Sequence, residues 1–139
     1  MSGVSGIVTS AWSATVTSRN WFQNATDKTY FSASFSPATL TPDIINRGLM
    51  MVYVRDPADP NFVFALPSTS DVGVEGFYGA TEGTKTFLVL YIDYLTKTTP
   101  PSYNSQYRWV FIPPQPGGRL ATIDWKNYAE VKKALNLTD

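Results

Sequence analysis

The sequence predicts a mainly β domain: an antiparallel, jelly-roll-like β-sandwich with one short helical turn and a C-terminal amphipathic helix. Three observations lead to this prediction. Aromatic residues make up 14% of the 139 residues, a content that suits strands and argues against disorder. Segments rich in Val, Tyr, Phe, Ile and Leu recur between turn residues. The final segment instead repeats its apolar residues at spacings of three and four, which is the helical period.

The clearest strand is predicted at residues 30–35, where the side chains alternate. Phe31, Ala33 and Phe35 share one face, while a tyrosine and two serines share the other. This pattern predicts a sheet with one buried face and one wet face. Further strands, recognised by residue type and flanking turns, are predicted at 49–55, 61–66, 84–94 and 106–112, with a weaker, glycine-interrupted strand at 72–79.

Two connections carry specific turn signals. Thr41 can cap a helix, Pro42 fits its first position and Gly48 can end it, so one short helical turn is predicted there. Residues 56–60 contain two prolines, each of which fixes its own φ and is unsuited to a central strand. These residues are therefore predicted to link the strands on either side of them as a hairpin.

The final helix is predicted over residues 124–137, with Asp124 as its N-cap. Its apolar residues recur at helical spacing and form a stripe: Trp125, Tyr128, Val131 and Leu135. A stripe of this size is too apolar for solvent, so the helix is predicted to pack on the sandwich.

Three of the predicted strands, 49–55, 84–94 and 106–112, carry large apolar side chains on both faces. One layer of core cannot cover two faces of a sheet. The final helix can cover one or two strands, so the remainder predicts a further sheet layer or a partner subunit.

Composition excludes several classes of site. The chain has no His and no Cys, so the usual zinc, thiol-redox and histidine-based hydrolytic sites cannot be built. The formal net charge is zero and 16% of residues are charged, which leaves no field to attract nucleic acid or anionic lipid. No apolar run approaches the ~18 residues of a membrane span. We therefore expect no enzymatic activity, no cofactor, no metal, no nucleic-acid partner and no direct membrane insertion.

Several acids fall in predicted loops or turns, namely Asp56, Asp59, Asp71 and Glu75. Catalysis by paired carboxylates needs a fixed separation in a cleft, so these acids are interpreted instead as turn formers. Residues 56–61 offer oxygen atoms that could bind calcium, but they lack the ligand spacing and the glycine of a dedicated calcium-binding loop.

Aromatic residues are the candidates for a ligand site or an interface. Exposed aromatics on β-sandwiches can stack on sugar rings, whereas in small β domains most large aromatics fill the core. Both interpretations apply to the same six residues, which are Trp12, Trp21, Phe22, Tyr78, Tyr103 and Trp109.

The end of the chain resembles a known kind of domain. The resemblance is carried by residues 106–113, by Gly117, Gly118 and Arg119, and by residues 124–137. These segments are similar to the C-terminal domain of many uncharacterised Bacteroidota surface proteins, some of which carry collagen-like repeats or a lipoprotein anchor. The resemblance implies a bacterial cell-surface or extracellular location and brings no catalytic residues with it. The chain departs from the pattern in having no lipobox cysteine.

The chain is predicted to form one folded domain. Residues 1–10 are expected to be an N-terminal linker or stalk remnant, and residues 11–139 a single β-sandwich domain that includes the helix. Gly3 and Gly6 have the three-residue spacing of a collagen-like stalk, although a flexible linker is the plainer explanation.

The leading functional hypothesis is a noncatalytic structural domain that caps a surface stalk or filament and oligomerises its chains, with a homotrimer favoured. The alternative is an adhesion module that binds a glycan, a peptide or a surface protein. A solvent-exposed strip of Trp and Tyr on one sheet would favour the alternative.

Overall fold

The computed structural model describes residues 6–115 and 123–138. In this part of the chain the strands are β1 (Val8–Thr9), β2 (Phe22–Gln23), β3 (Tyr30–Phe35), β4 (Leu49–Asp56), β5 (Asp59–Ala65), β6 (Ser68–Thr69), β7 (Gly73–Glu82), β8 (Lys85–Tyr94) and β9 (Gln106–Ile112). The helices are α1 (Pro42–Arg47) and α2 (Tyr128–Leu135), and one turn of 3-10 helix spans Ser18–Asn20.

The strands form two antiparallel sheets that pack face to face. One sheet has the order β1-β9-β4-β5 and the other has the order β2-β3-β8-β7-β6. The chain passes from one sheet to the other after β1, β3, β5 and β8. The predicted antiparallel β-sandwich is therefore confirmed.

The space between the sheets holds the main hydrophobic core. Phe31 and Ala33 of β3 lie opposite Ile92 and Leu90 of β8, and all four side chains enter this core. Val52 of β4 enters it from the other sheet. The side chains that the sequence alternation places together on one face of these strands are thus the ones that enter the core.

The outer face of the four-stranded sheet forms a second core under the C-terminal helix. Val131 of α2 is fully buried there, beside Met51 of β4 and Val110 of β9. The hydroxyl of Tyr53 donates a hydrogen bond of 2.7 Å to the carbonyl oxygen of Trp125. The apolar stripe of the final helix therefore packs on the sheet, as predicted, and covers the second apolar face of β4 and β9 within one chain.

This helix is shorter than the sequence suggests. It begins at Tyr128, and its N-cap is Asn127, whose side chain accepts from the backbone N–H of Glu130 at 3.2 Å. Asp124 caps a turn instead, because its carboxylate accepts from the N–H of Lys126 at 3.2 Å. Of the residues singled out in the sequence, Gly3, Gly117, Gly118 and Arg119 lie outside the described residues.

Helix α1 matches its prediction. The hydroxyl of Thr41 accepts from the N–H of Ile44 at 3.2 Å, and Gly48 follows the last helical residue. Ile44 is buried in the core between the sheets. Within residues 6–115 and 123–138, neither helix is long and apolar enough to cross a membrane.

Candidate functional site

A pocket of about 540 Å³ opens at one end of the sandwich, and we call it the end pocket. It lies among the ends of β5 and β8, the β6–β7 hairpin and the segment that follows β8. Its floor and walls include Phe64, Glu75, Tyr94, Lys97 and Tyr103. A concave site that combines apolar walls with a few polar groups is the usual form of a ligand site.

Glu75 brings a carboxylate into the space between the sheets. It lies within β7, opposite the core residue Ile92, so its side chain shares the inward face of the strand. The hydroxyl of Tyr103 donates a hydrogen bond to Oε1 of Glu75. Burial raises the pKa of Glu75 above its ordinary value, and the bond from Tyr103 offsets part of this rise.

The interpretation of Glu75 as a loop or turn residue is therefore wrong. The glycine-interrupted strand predicted at 72–79 extends from Gly73 to Glu82 and places Glu75 on the core face. Asp71 does lie in a turn, as predicted, and it lines the same pocket. Asp56 is a turn former as predicted, since its carboxylate accepts from the N–H of Ala58 at 2.8 Å.

Three tyrosines around Glu75 keep their protons over a wide pH range. Burial is the main cause that raises the pKa values of Tyr94, Tyr103 and Tyr107, and the charge of Glu75 raises all three further. The hydrogen bond to Glu75 also raises the pKa of Tyr103. These side chains therefore act as neutral groups around the carboxylate.

A lysine lies against the aromatic wall of the end pocket. Nζ of Lys97 is 5.1 Å from the centre of the Tyr94 ring, which is a distance suited to a cation–π interaction. The pocket is thus polarised between a carboxylate on β7 and a cation on the segment after β8.

Large apolar side chains are exposed around the mouth of the end pocket. Leu95 is 71% exposed and Val72 is 57% exposed, and both line the pocket. Phe62 is 65% exposed, and its ring centroid is 6.3 Å from that of Phe64 in the pocket wall. Exposed apolar groups clustered around a cavity are typical of a surface that a partner covers.

We expect the substitution Glu75→Gln to raise the stability of the fold at neutral pH. The pKa of the Glu75 carboxyl is higher in the folded state than its ordinary value of 4.5. Its contribution to the free energy of unfolding therefore favours the folded state below about pH 4.5. The contribution is lost as pH rises through the folded pKa. The variant should therefore melt a few degrees above the wild type at pH 7.5, and the difference should shrink at pH 4.

Thermal unfolding at the two pH values measures this effect. Glu82→Gln is the matched control, because it removes a carboxylate from the exposed far end of the same strand. A Glu75→Gln protein that melts no higher than the wild type at pH 7.5 would contradict the prediction.

A second candidate surface lies on the outer face of the five-stranded sheet, and we call it the tyrosine face. The rings of Tyr30 and Tyr91 stack with their centroids 5.6 Å apart and an interplanar angle of 12°. The ring centroid of Tyr78 lies 6.2 Å from that of Tyr91. Tyr91 covers Gly76, where any larger side chain would collide with the ring. Burial, and then the neighbouring Tyr78, raise the pKa of Tyr30 to about 12.

The six aromatics singled out in the sequence do not form one surface. Trp21 and Trp109 pack in the core between the sheets, and Trp12 packs under α2, where the guanidinium carbon of Arg55 is 4.3 Å from the centre of the indole ring. The other three are exposed in three places: Phe22 on β2, Tyr78 on the tyrosine face and Tyr103 at the end pocket.

The sequence interpretation missed the main feature of the end pocket, although a signal for it was present. Continuing the alternation of residues 72–79 puts Glu75 on the same face as Phe77, which enters the core. An acid at an inward position of a strand is unusual and marks a candidate site. Tyr30 and Tyr91 were missed because their contact depends on the pairing of β3 with β8.

Comparison with protein-family models, with curated proteins and with solved structures gave no match. The resemblance to Bacteroidota surface domains stays a prediction. Among the residues that the structure describes, no group of three or more acids is arranged to hold a metal ion.

Proposed function

We propose that the chain is a noncatalytic adhesion module that binds a peptide segment in the end pocket. The observation that carries this proposal is the group of exposed apolar side chains at the mouth of a cavity with a carboxylate inside it. Folded proteins seldom expose clustered apolar groups without a partner. A carboxyl group whose pKa is raised by burial is also a common feature of functional sites.

The rim favours a peptide over a glycan. Leu95 and Val72 are aliphatic, and they match the apolar side chains of a peptide better than the hydroxyl-covered edges of a sugar. Tyr103 adds an amphipathic ring with a hydroxyl group, which is the kind of side chain that dominates many peptide and protein interfaces.

A displayed random-peptide library, panned against the whole protein, tests this function. We expect enriched peptides to bind the wild type and to lose at least about tenfold in affinity on Leu95→Asp, because 1.4 kcal/mol of lost apolar contact is tenfold in Kd. Phe22→Asp is the matched control, since it places the same charge at an exposed apolar residue on β2. Enriched peptides that bind Leu95→Asp as tightly as wild type would overturn the proposal.

Glycan binding at the tyrosine face is the second candidate, and the stacked Tyr30 and Tyr91 with the exposed Tyr78 favour it. Aromatic rings arrayed on an open sheet can stack on sugar rings. Retention on immobilised glycans that is lost in Tyr78→Ala and kept in Leu95→Asp would favour this function over peptide binding.

Assembly into a stalk cap, the leading hypothesis from the sequence, stays a prediction with less physical support. Its basis is a second apolar face on three strands. On β4 and β9 that face packs against α2 and the N-terminal segment, so it is not available to another copy. The outer face of β8, with Phe87, Val89 and Tyr91, is the part that stays accessible.

A further inference from the structure

The carboxylate in the end pocket has unused capacity to accept hydrogen bonds. An ionised carboxylate offers about four acceptor sites on its two oxygens. Tyr103 donates to Oε1 of Glu75, and a neutral hydroxyl does not balance the negative charge. A charged donor brought into the pocket would therefore gain both a hydrogen bond and a partly desolvated ion pair with Glu75.

The aromatic wall of the same pocket already accommodates an ammonium group. Nζ of Lys97 lies over the ring of Tyr94, which is otherwise buried at the end of β8. Lys97 itself is exposed and extends from a segment outside the sheets, so its side chain can move away at small cost. The ring face that it covers would attract the cation of a ligand in the same way.

The charges of the pocket favour a cation over an anion. Its charged lining residues are Asp71, Glu75 and Lys97, which sum to a formal charge of −1 when both acids are ionised. The surrounding tyrosines are neutral, and the rim contributes apolar surface suited to a hydrocarbon chain.

We propose that the end pocket recognises an ammonium group on an apolar stem, with Glu75 pairing the charge, Tyr94 facing it and the rim of Leu95 and Val72 packing on the stem. This inference rests on the proposed peptide-binding function, for which a lysine side chain is the natural source of such a group. A free alkylamine carries the same chemistry. Lys97 is displaced from Tyr94 when the ligand binds.

The charged and titratable groups around the site lie on several elements: Asp71 on the turn before β7, Glu75 on β7, Tyr94 on β8, Lys97 and Tyr103 on the segment after β8, and Tyr107 on β9. Within this set, protonation of Glu75 removes the charge that pairs with the ligand. Binding should therefore weaken as pH falls through the pKa of Glu75, which burial raises.

Titration of the whole protein with n-butylammonium chloride, followed by NMR amide shifts, tests the ligand class. The probe is a lysine side chain without its backbone, and butan-1-ol is the neutral counterpart of similar size. We expect n-butylammonium to shift the amides of Glu75, Tyr94 and Tyr103 and butan-1-ol to bind at least about tenfold more weakly. A lysine-containing peptide, acetylated and amidated at its ends, should bind more tightly than the free amine, because it also covers the rim.

Three variants separate the possible outcomes. Glu75→Gln should weaken n-butylammonium binding at least about tenfold, while the matched Glu82→Gln should leave it unchanged. Lys97→Met should strengthen binding severalfold, because it removes the cation that competes for the ring of Tyr94. The contrary outcome is that Lys97 holds an anionic ligand. Acetate would then bind tightly to the wild type and more weakly to Lys97→Met, and this result would overturn the inference.

The inference and the function it rests on fail in different ways. Peptides that depend on Leu95 but bind Glu75→Gln normally, without competition from n-butylammonium, would overturn the ammonium site and leave peptide binding intact. Enriched peptides that ignore Leu95 would overturn the peptide function. Equal binding of n-butylammonium and butan-1-ol would overturn the ammonium site whatever the peptides do.

Discussion

Replacing Val131 with Asp is expected to lower the free energy of unfolding by about 4 kcal/mol or more, a large part of the stability of a domain of this size. Val131 is 0% exposed and lies between α2 and the outer face of the four-stranded sheet. A carboxylate there loses its hydration and meets an apolar cluster that includes Met51 and Val110. Detachment of the helix would expose that face of β4 and β9, so aggregation should accompany the loss of stability.

Urea unfolding followed by circular dichroism measures this loss, and Ala129→Asp is its control. Ala129 lies two residues before Val131, on the exposed side of the same helix and near its N-terminus, where an acid is tolerated or favoured by the helix dipole. A Val131→Asp protein as stable as Ala129→Asp would show that the helix does not contribute to the folded core.

The parts of the fold that the sequence predicted are those set by local periodicity. The two-residue alternation in 30–35 and the three-and-four spacing in 125–135 each identify a buried face without knowledge of its neighbours. Helix α1 was predictable because Thr41, Pro42 and Gly48 act within a few residues of one another. In each case the determining contacts are close in sequence.

The parts that could not be predicted depend on which strands are neighbours. The stacking of Tyr30 on Tyr91 requires β3 to pair with β8, and the residues paired in this way lie more than fifty positions apart in the sequence. The end pocket requires the segment after β8 to bring Tyr103 back to Glu75. Short strands such as β1, β2 and β6, two residues each, carry no detectable period of their own.

The apolar character of both faces of β4, β8 and β9 was a sound observation with more than one solution. The sequence left open a further sheet layer or a partner subunit for the surface that the helix could not reach. On β4 and β9, the opposing sheet covers one face and α2 covers the other. On β8 the outer face is shared among partly exposed side chains that form the tyrosine face. The sequence pattern of each strand thus predicts how much apolar surface it has. Which element covers that surface depends on contacts between segments that are distant in sequence.

Replacing Arg108 with Met is expected to cost about 2–4 kcal/mol, because the guanidinium joins three separate segments of the chain. Arg108 is 5% exposed on the helix side of β9. Its Nε donates to the carbonyl oxygen of Ser10 at 2.8 Å, and its Nη1 donates to the carbonyl oxygen of Thr138 at 2.8 Å and to the hydroxyl oxygen of Tyr128 at 3.1 Å. Met keeps an unbranched apolar stem of similar length, so the variant removes the donors with little loss of packing.

Equilibrium urea unfolding, with Arg47→Met as the control, isolates the effect of burial. The side chain of Arg47 is 69% exposed and pairs with Asp43 at 2.6 Å across one helical turn, a surface pair worth no more than about 0.5 kcal/mol. Hydrogen exchange adds a second readout: the segment near Ser10 and helix α2 should lose protection in Arg108→Met, while β3 and β8 should lose less. Equal stability of the two methionine variants would mean that water replaces the guanidinium at all three acceptors. In that case the bonds from the guanidinium would add no measurable stability to the attachment of the N-terminal segment and the C-terminal helix.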